Sequence, residues 1–249
     1  MNYWINFSKE YWSVAEWLHS YLNMALFLSS IAPPFQNNLP PSVVIYAVSY
    51  SIEEYHDYLY DYFSIFKPSN ISASVIKRRA EFLAGRCCAK AGLSKLGYGR
   101  AVLLAGKHRE PLWPDGVVGS ISHTSDIALA VLARKTDIRL LGVDIESLVI
   151  PLADELCEIV VNDREWELLR NCCPDEVALV IGFSAKEAYF KALFPKVQRY
   201  FDFLDVVICK VSNDKTGWSL SISSKDLTLE PLNVYVSKEG EYIASIAYS

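Results

Sequence analysis

A long helix with an apolar face followed by short apolar strands is written into this chain twice, and that order narrows the folds open to it. The first run spans 72–92, where Val75, Ile76, Ala80, Leu83, Ala84, Cys87, Cys88 and Ala91 recur at helical spacing and Gly92 offers a stop. Segments 102–105, 117–122 and 127–133 follow as strands, separated by Gly, Pro and Asp turn residues. The second helix spans 176–194 and is followed by strands at 206–211, 218–222, 233–237 and 242–247. Helices and antiparallel strands in separate blocks define the α+β class. The expectation is two similar α/β halves related by a pseudo-twofold, although no sequence repeat accompanies it. Pockets form where such halves meet, so the active site is expected in the cleft between them.

Pro33-Pro34 and Pro40-Pro41 bracket a loop and divide the chain into an extension, 1–40, packed on the first half, then a half at 41–140 and another at 141–249. Within the extension, Tyr11, Val14, Ala15, Leu18 and Leu22 have helical spacing, and the apolar run 24–32 is read as core. Segment 43–49 reads as a buried strand, and 53–66, acidic and rich in tyrosine, as a helix. Segments 152–161 and 163–171 read as short helices, the second with Asp163 near its N-cap. In 176–194, Ser184 is expected to cap an inner segment with Glu187 completing a capping box, and Lys191 stands four residues after Glu187 for a helical ion pair.

At 249 residues, with 51% hydrophobic and 21% charged residues, the chain has ample material for a core. Its net charge of -5 argues against a nucleic-acid partner. The run 24–32 is far short of a membrane span and lacks the flanks of a secretory signal, so no membrane partner is expected. Six cysteines without a C-x-x-C, beside four scattered histidines, argue against zinc and fit reduced thiols in the cytoplasm.

The stretch Leu140-Leu141-Gly142-Val143-Asp144-Ile145-Glu146 alternates as a strand does, with Val143 and Ile145 on one face and Asp144 and Glu146 on the other. Two carboxylates two residues apart repel unless a cation, a basic side chain or water offsets them. Such pairs suit magnesium, and a solvated acidic edge strand is the alternative. Lys77, Arg78, Arg79, Arg86 and Lys90 line one flank of the first long helix with only Glu81 to offset them, an anion site or a solvated face. Lys107, His108 and Arg109 sit in the loop after Gly106, and Ser122-His123 end a strand. With Glu187, Lys186 and Lys191 from the second helix, these acids and cations are the parts of a phosphoryl-transfer site. Neither a P-loop nor a kinase signature is present, so an ordinary nucleoside triphosphate is disfavoured.

Four stretches in order carry a resemblance: Lys77-Arg78-Arg79-Ala80-Glu81-Phe82-Leu83-Ala84-Gly85-Arg86; Pro111-Leu112-Trp113-Pro114-Asp115-Gly116 through Gly119-Ser120-Ile121-Ser122-His123; Gly142-Val143-Asp144-Ile145-Glu146; and Phe183-Ser184-Ala185-Lys186-Glu187-Ala188-Tyr189-Phe190-Lys191. The chain resembles the 4′-phosphopantetheinyl transferases of the surfactin/enterobactin type, near the enterobactin-synthase component D branch. The resemblance implies transfer of the phosphopantetheine arm of coenzyme A to a serine of an acyl or peptidyl carrier protein, with release of adenosine 3′,5′-bisphosphate. It implies Mg2+ held by Asp144, Glu146 and Glu187, with Glu187 as base. It also implies the 3′-phosphate on Arg78 and Arg86, the nucleotide along Gly106, Lys107 and His108, phosphate contacts from Ser122 and His123, and Lys186 and Lys191 screening the diphosphate. A lysine that some relatives carry just before Gly106 is Ala105 here. Siderophore, polyketide, nonribosomal-peptide and fatty-acid carriers all fit, and a monomer is the default. The competing readings are another magnesium-dependent phosphotransferase or hydrolase, and a non-catalytic module that binds coenzyme A or a carrier.

Overall fold

The computed structural model describes residues 26–35, 39–149, 155–226 and 228–249. The first sheet runs β1 (Leu28–Ile31), β2 (Val44–Tyr50), β6 (Ile127–Arg134), β5 (Val117–His123). The second runs β7 (Leu141–Ser147), β11 (Tyr242–Tyr248), β10 (Leu232–Glu239), β9 (Trp218–Ser224), β8 (Val206–Asn213). Every pairing within both sheets is antiparallel. A two-stranded ribbon, β3 (Leu104–Ala105) with β4 (Pro111–Leu112), carries the 106–110 turn. The helices are α1 (Leu59–Tyr62), α2 (Ser69–Ser72), α3 (Ile76–Lys95), α4 (Glu155–Val160), α5 (Asp163–Cys172) and α6 (Asp175–Val197).

Period-two alternation decides the layering. Ala128, Ala130 and Leu132 of β6 join the core under α3, whereas their neighbours Leu129, Val131 and Ala133 point to the opposite face. There they meet Leu141, Val143 and Ile145 of β7 and Ala244 and Ile246 of β11. The other face of the second sheet, with Ile243, Ala247, Val234 and Val236, packs on Ala185, Ala188, Tyr189 and Ala192 of α6. The order is therefore helix, sheet, sheet, helix, with three apolar seams. In its packing, Gly142 is the tightest point: a Cβ there would lie 2.0 Å from the Ala188 carbonyl oxygen and 2.4 Å from the Ala192 nitrogen. Hydrogen at this position lets α6 lie directly on β7, which brings the acids of the strand to those of the helix.

Several expectations are corrected. The first long helix begins at Ile76, leaving Val75 and Ile76 72% and 53% exposed, because α2 is a separate turn after Pro68. Its end is at Leu96, where Gly97 turns out at φ +92°, and Gly92 lies buried inside the helix. Segment 53–66 forms only the turn α1; Tyr55 and Tyr60 are buried, and Asp57 bonds the Tyr55 hydroxyl at 2.5 Å and Arg79 at 2.6 Å. The local Tyr55–Asp57 bond and the Asp57–Arg79 anchor, 22 residues apart, hold the stretch away from a regular helix. The second long helix is continuous through Ser184, whose hydroxyl is buried without a partner. Backbone N–H groups inside a helix already have carbonyl partners, so Ser184 has nothing to cap. Asp163 does stand beside the N-cap of α5 as its first residue; the cap itself is Asn162, which exchanges bonds of 3.1 and 2.9 Å with Glu165 in a capping box. Of the apolar run 24–32, Phe27 is buried and 28–31 pair as β1 on the first sheet, while Leu26 is 57% exposed. The helical pattern at 11–22 lies outside the described residues.

Replacing Gly142 with alanine forces α6 off β7 against backbone atoms rather than a yielding side chain. The expected loss is about 1–3 kcal/mol, measured by urea unfolding, with the second half opening first in hydrogen exchange.

Candidate active site

Strand β7 and helix α6 supply a compact group of charges. Asp144 is 2% exposed, and its Oδ1 accepts from Lys191 Nζ at 2.6 Å and from the Ser122 hydroxyl at 3.0 Å. Lys191 also donates to Ser122 Oγ at 3.0 Å. With Glu146 ionised, Asp144 Oδ2 is buried with no donor among the described residues. Glu146 stands two residues along the same face, and its pKa is pushed up to about 8, first by burial and next by the charge of Asp144. In its protonated form Glu146 is also drawn into a hydrogen bond with Asp144. Burial likewise raises Glu187; Lys191 opposes that shift and Asp144 adds to it. For Lys191, burial pulls the pKa down but Asp144, Glu187 and Glu146 outweigh it, so the net shift is upward. Three acids thus share one ammonium, an arrangement that favours a further positive charge. Among the described residues, no group of three or more His, Cys, Asp or Glu side chains is placed to hold a metal ion by itself.

The first half supplies a second group. Arg78, on α3, donates to His123 Nε2 at 3.0 Å and lies 3.4 Å from Glu81, which is itself buried. An arginine donor fixes Nε2 as the acceptor, so the imidazole is neutral in this contact. Its pKa is lowered, chiefly by burial, against the pull of Glu81 and with the push of Arg78 and Lys191. Arg86 is 5% exposed, its guanidinium 4.7 Å from the centre of the Phe82 ring; Nη1 has no hydrogen-bond partner among the described residues. Burial and the nearby Arg78 lower its pKa to about 10. Arg86 lines a cavity of about 230 Å³ with Lys90 and Arg100. Lys77 is exposed and Arg79 is tied to Asp57, so the basic flank of α3 is divided among separate partners.

A cleft of about 190 Å³ has one wall from 108–121, including His108, Trp113, Gly119 and Ser120, and another from α6 and its exit, including Phe190, Lys191, Phe194 and Tyr200. The ring of His108 meets Phe194 and Tyr200 edge-on at 5.6 and 5.7 Å. Glu187 lines a neighbouring cavity of about 280 Å³ with Phe190, Tyr200, Phe201 and Phe203. Phe190 and Tyr200 are common to both.

Asp144, Glu146, Glu187, Lys191 and Ser122 come together, and Arg78 joins His123. Gly106 and Lys107 lie on the ribbon turn with Lys107 exposed, while His108 reaches the cleft and its N–H donates to Glu110 at 2.8 Å. The expected Glu187–Lys191 ion pair gives way to Asp144–Lys191, because the strand places a more deeply buried carboxylate beside the ammonium. Two residues expected at phosphate are engaged within the chain instead. Lys186, 1% exposed, gives its ammonium to Glu165 at 2.8 Å and to the Val160 and Phe203 carbonyls at 2.8 and 3.0 Å, so it is already committed and not free to screen a diphosphate. Ser122 has its one hydrogen on Asp144 and also accepts from Lys191 and the Ile145 N–H, which fills the capacity of a hydroxyl and leaves none for phosphate. Sequence reasoning missed Glu165 as a buried counterion and the aromatic walls of the cleft. Phe190 and Phe194, one helical turn apart, were the available signal for the latter.

Antiparallel sheets each backed by one long helix define the α+β class, here with three acids grouped around Lys191 on β7 and α6. A family model for the 4′-phosphopantetheinyl transferase N-terminal domain matches residues 67–133, and one for the 4′-phosphopantetheinyl transferase superfamily matches residues 140–247. The chain is 37% identical over 154 residues to the 4′-phosphopantetheinyl transferase PptT of Mycobacterium tuberculosis, covering 60% of this chain and 65% of that protein. It is 43% identical over 123 residues to enterobactin synthase component D of Salmonella typhi, covering 49% and 50% of the two. It is 39% identical over 138 residues to the 4′-phosphopantetheinyl transferase Svp of Streptomyces mobaraensis, covering 54% and 56%. The matched stretch thus spans half to two thirds of the curated relatives' length. The chain belongs to the 4′-phosphopantetheinyl transferase superfamily.

Glu146 yields a pH prediction. Its folded-state pKa of about 8 lies above the ordinary carboxylate value of 4.5, so the folded protein binds the extra proton between those limits. Stability from this group is full below pH 4.5 and is lost as pH rises through 8. In chelator, the melting temperature of the wild-type protein should fall from pH 5 to pH 9, and that of Glu146→Gln should fall less, as followed by differential scanning fluorimetry.

Proposed function

We propose that this protein transfers the 4′-phosphopantetheine arm of coenzyme A to a serine hydroxyl of an acyl or peptidyl carrier protein, releasing adenosine 3′,5′-bisphosphate. The observation that carries the reading is Asp144 Oδ2: a buried, unpartnered carboxylate oxygen beside Glu146 and Glu187, on the far side of the joint from Arg78 and His123. A cation between Asp144 and Glu146 would relieve the repulsion that helps raise the Glu146 pKa.

This donor set fits magnesium, which needs only one or two protein carboxylates and takes its other oxygens from water and phosphate. Asp144, Glu146 and Glu187 would hold it, and when bound it supplies positive charge to the phosphate oxygens. The remaining work falls to the chain. Lys191, kept protonated by the acids around it, offsets charge that builds on the diphosphate. Arg78, His123 and Arg86 hold the 3′-phosphate end of the nucleotide, and His108 and the cleft walls fix its orientation. Glu187, whose proton affinity burial has raised, takes the proton from the carrier serine as its oxygen bonds to the β-phosphorus; the bond to the adenosine bisphosphate oxygen breaks.

Residues 41–140 and 141–249 are read as two pseudo-twofold halves, with 1–40 as an extension on the first, and the cleft between them as the active site. Among the described residues, no helix is long and apolar enough to cross a membrane, and we place the protein in the cytoplasm as a monomer. A carrier of siderophore assembly is the first to test, since several relatives are named enterobactin synthase component D. The experiment incubates purified protein with apo-carrier, coenzyme A and Mg2+ and reads carrier mass. A gain of one phosphopantetheine group is expected; no gain on any carrier class, or hydrolysis of nucleoside triphosphates instead, would overturn the proposal.

Asp144→Ala and Glu187→Ala should each lower turnover by at least about 100-fold, a cost of roughly 3 kcal/mol in transition-state stabilisation, with the circular dichroism spectrum retained. Arg86→Ala should chiefly raise the KM for coenzyme A.

A further inference from the structure

The two sheets do not share a backbone ladder at their joint. On β7, the edge away from β11 faces β5, and there the Val143 N–H donates to Ser120 Oγ at 3.1 Å and the Ile145 N–H to Ser122 Oγ at 3.3 Å. Hydroxyls two residues apart on one strand thus replace the carbonyls that would otherwise pair a strand edge. Both serines are 5% exposed. Beyond these two stitches, Tyr242 of the second half donates to Asp126 Oδ2 of the first at 2.5 Å.

Ser122 differs from Ser120 in what else it holds. Its single hydrogen goes to Asp144 Oδ1 at 3.0 Å, and its second lone pair accepts from Lys191 at 3.0 Å. The hydroxyl, the carboxylate oxygen and the ammonium close a triangle whose third side is the 2.6 Å Lys191–Asp144 bond. Two donors are concentrated on Oδ1, and once Glu146 is ionised the same carboxylate has no donor on Oδ2 among the described residues. A carboxylate bonded only by a flexible lysine would rotate about χ2, a soft torsion with two broad wells, and present either oxygen. A second donor from a rigid strand of the other half removes that freedom.

We infer that Ser122 is a positioning residue: it locks the Asp144 carboxylate so that Oδ2 alone faces the reacting ligand, and through the Ile145 N–H it couples that lock to the joint between the two sheets. The inference goes beyond the proposed transferase reading and uses that reading only for the kinetic half of its test. A serine that bound phosphate would need to give up one of its three present bonds.

The test compares Ser122→Ala with the wild-type protein in two ways. Hydrogen exchange without substrate should show the Ile145 amide exchanging at least about tenfold faster, while Val143, held by Ser120, keeps its rate. In carrier modification, kcat should fall at least about tenfold with the KM for coenzyme A within about twofold of wild type. Unchanged protection at Ile145, or a raised KM with kcat retained, would overturn the inference. Should the alanine variant fail to fold, Ser122→Thr keeps the hydroxyl on the strand; it should hold both Ile145 protection and kcat, and a collapsed kcat in that variant would equally overturn it. No transfer by the wild-type protein would sink the proposed function, whereas the Ile145 exchange is read without any substrate.

Discussion

The bond between Lys191 and Asp144 is the contact on which the arrangement of this molecule turns. It ties the long helix of the second half to the strand beneath it, and through Ser122 it reaches the first half as well. A carboxylate that is 2% exposed is costly unless it is paired and hydrogen-bonded, and here a lysine and a serine meet one of its oxygens only. Leaving the other bare keeps unfavourable energy inside the fold. Adjacent acids enlarge it, as the upward shifts of Glu146 and Glu187 record. Energy of this kind would be recovered by a cation placed among these acids, turning a local cost in stability into affinity.

A second buried pair shows the opposite design. Glu165 caps its own helix, accepts the Ile208 N–H at 2.6 Å and meets Lys186 at 2.8 Å, while Lys186 spends its remaining hydrogens on two carbonyls. Charge, donors and acceptors are all satisfied, and nothing remains for a ligand. Lys186 and Lys191 are five residues apart on one helix, yet one is structural and the other faces a cleft. The distinction lies in their surroundings: Glu165 arrives from a neighbouring helix, whereas the acids near Lys191 outnumber it.

Much of the fold was legible from the chain alone. Strands β2, β5, β6 and β8 to β11 lie within a residue or two of where alternation and turn residues place them. Alternation is a local property of the backbone, which is why it survives into the fold. Element ends fared less well. Gly92 looks like a helix stop, but the helix continues because that glycine is packed in the core, and Gly97 makes the turn instead. Segment 53–66 has helical composition, but Asp57 is drawn to Arg79, a partner 22 residues away that no local window contains.

Which charged side chains gather was also partly readable, because Asp144, Glu146 and Glu187 and, separately, Arg78 and His123 sit in motifs that concentrate charge. Their partners were not. Covalent order and side-chain chemistry determined the alternation of β7, the lengths of the two helices and the presence of three acids among many cations. Tertiary structure alone decided that Lys191 takes Asp144 rather than Glu187, that Lys186 is turned to Glu165, and that Ser122 spends all its bonds within the protein. The physical reason is that propensity and periodicity act within a few residues, while desolvation and hydrogen-bond satisfaction depend on every neighbour that packing brings, and those neighbours here lie up to 69 residues away along the chain.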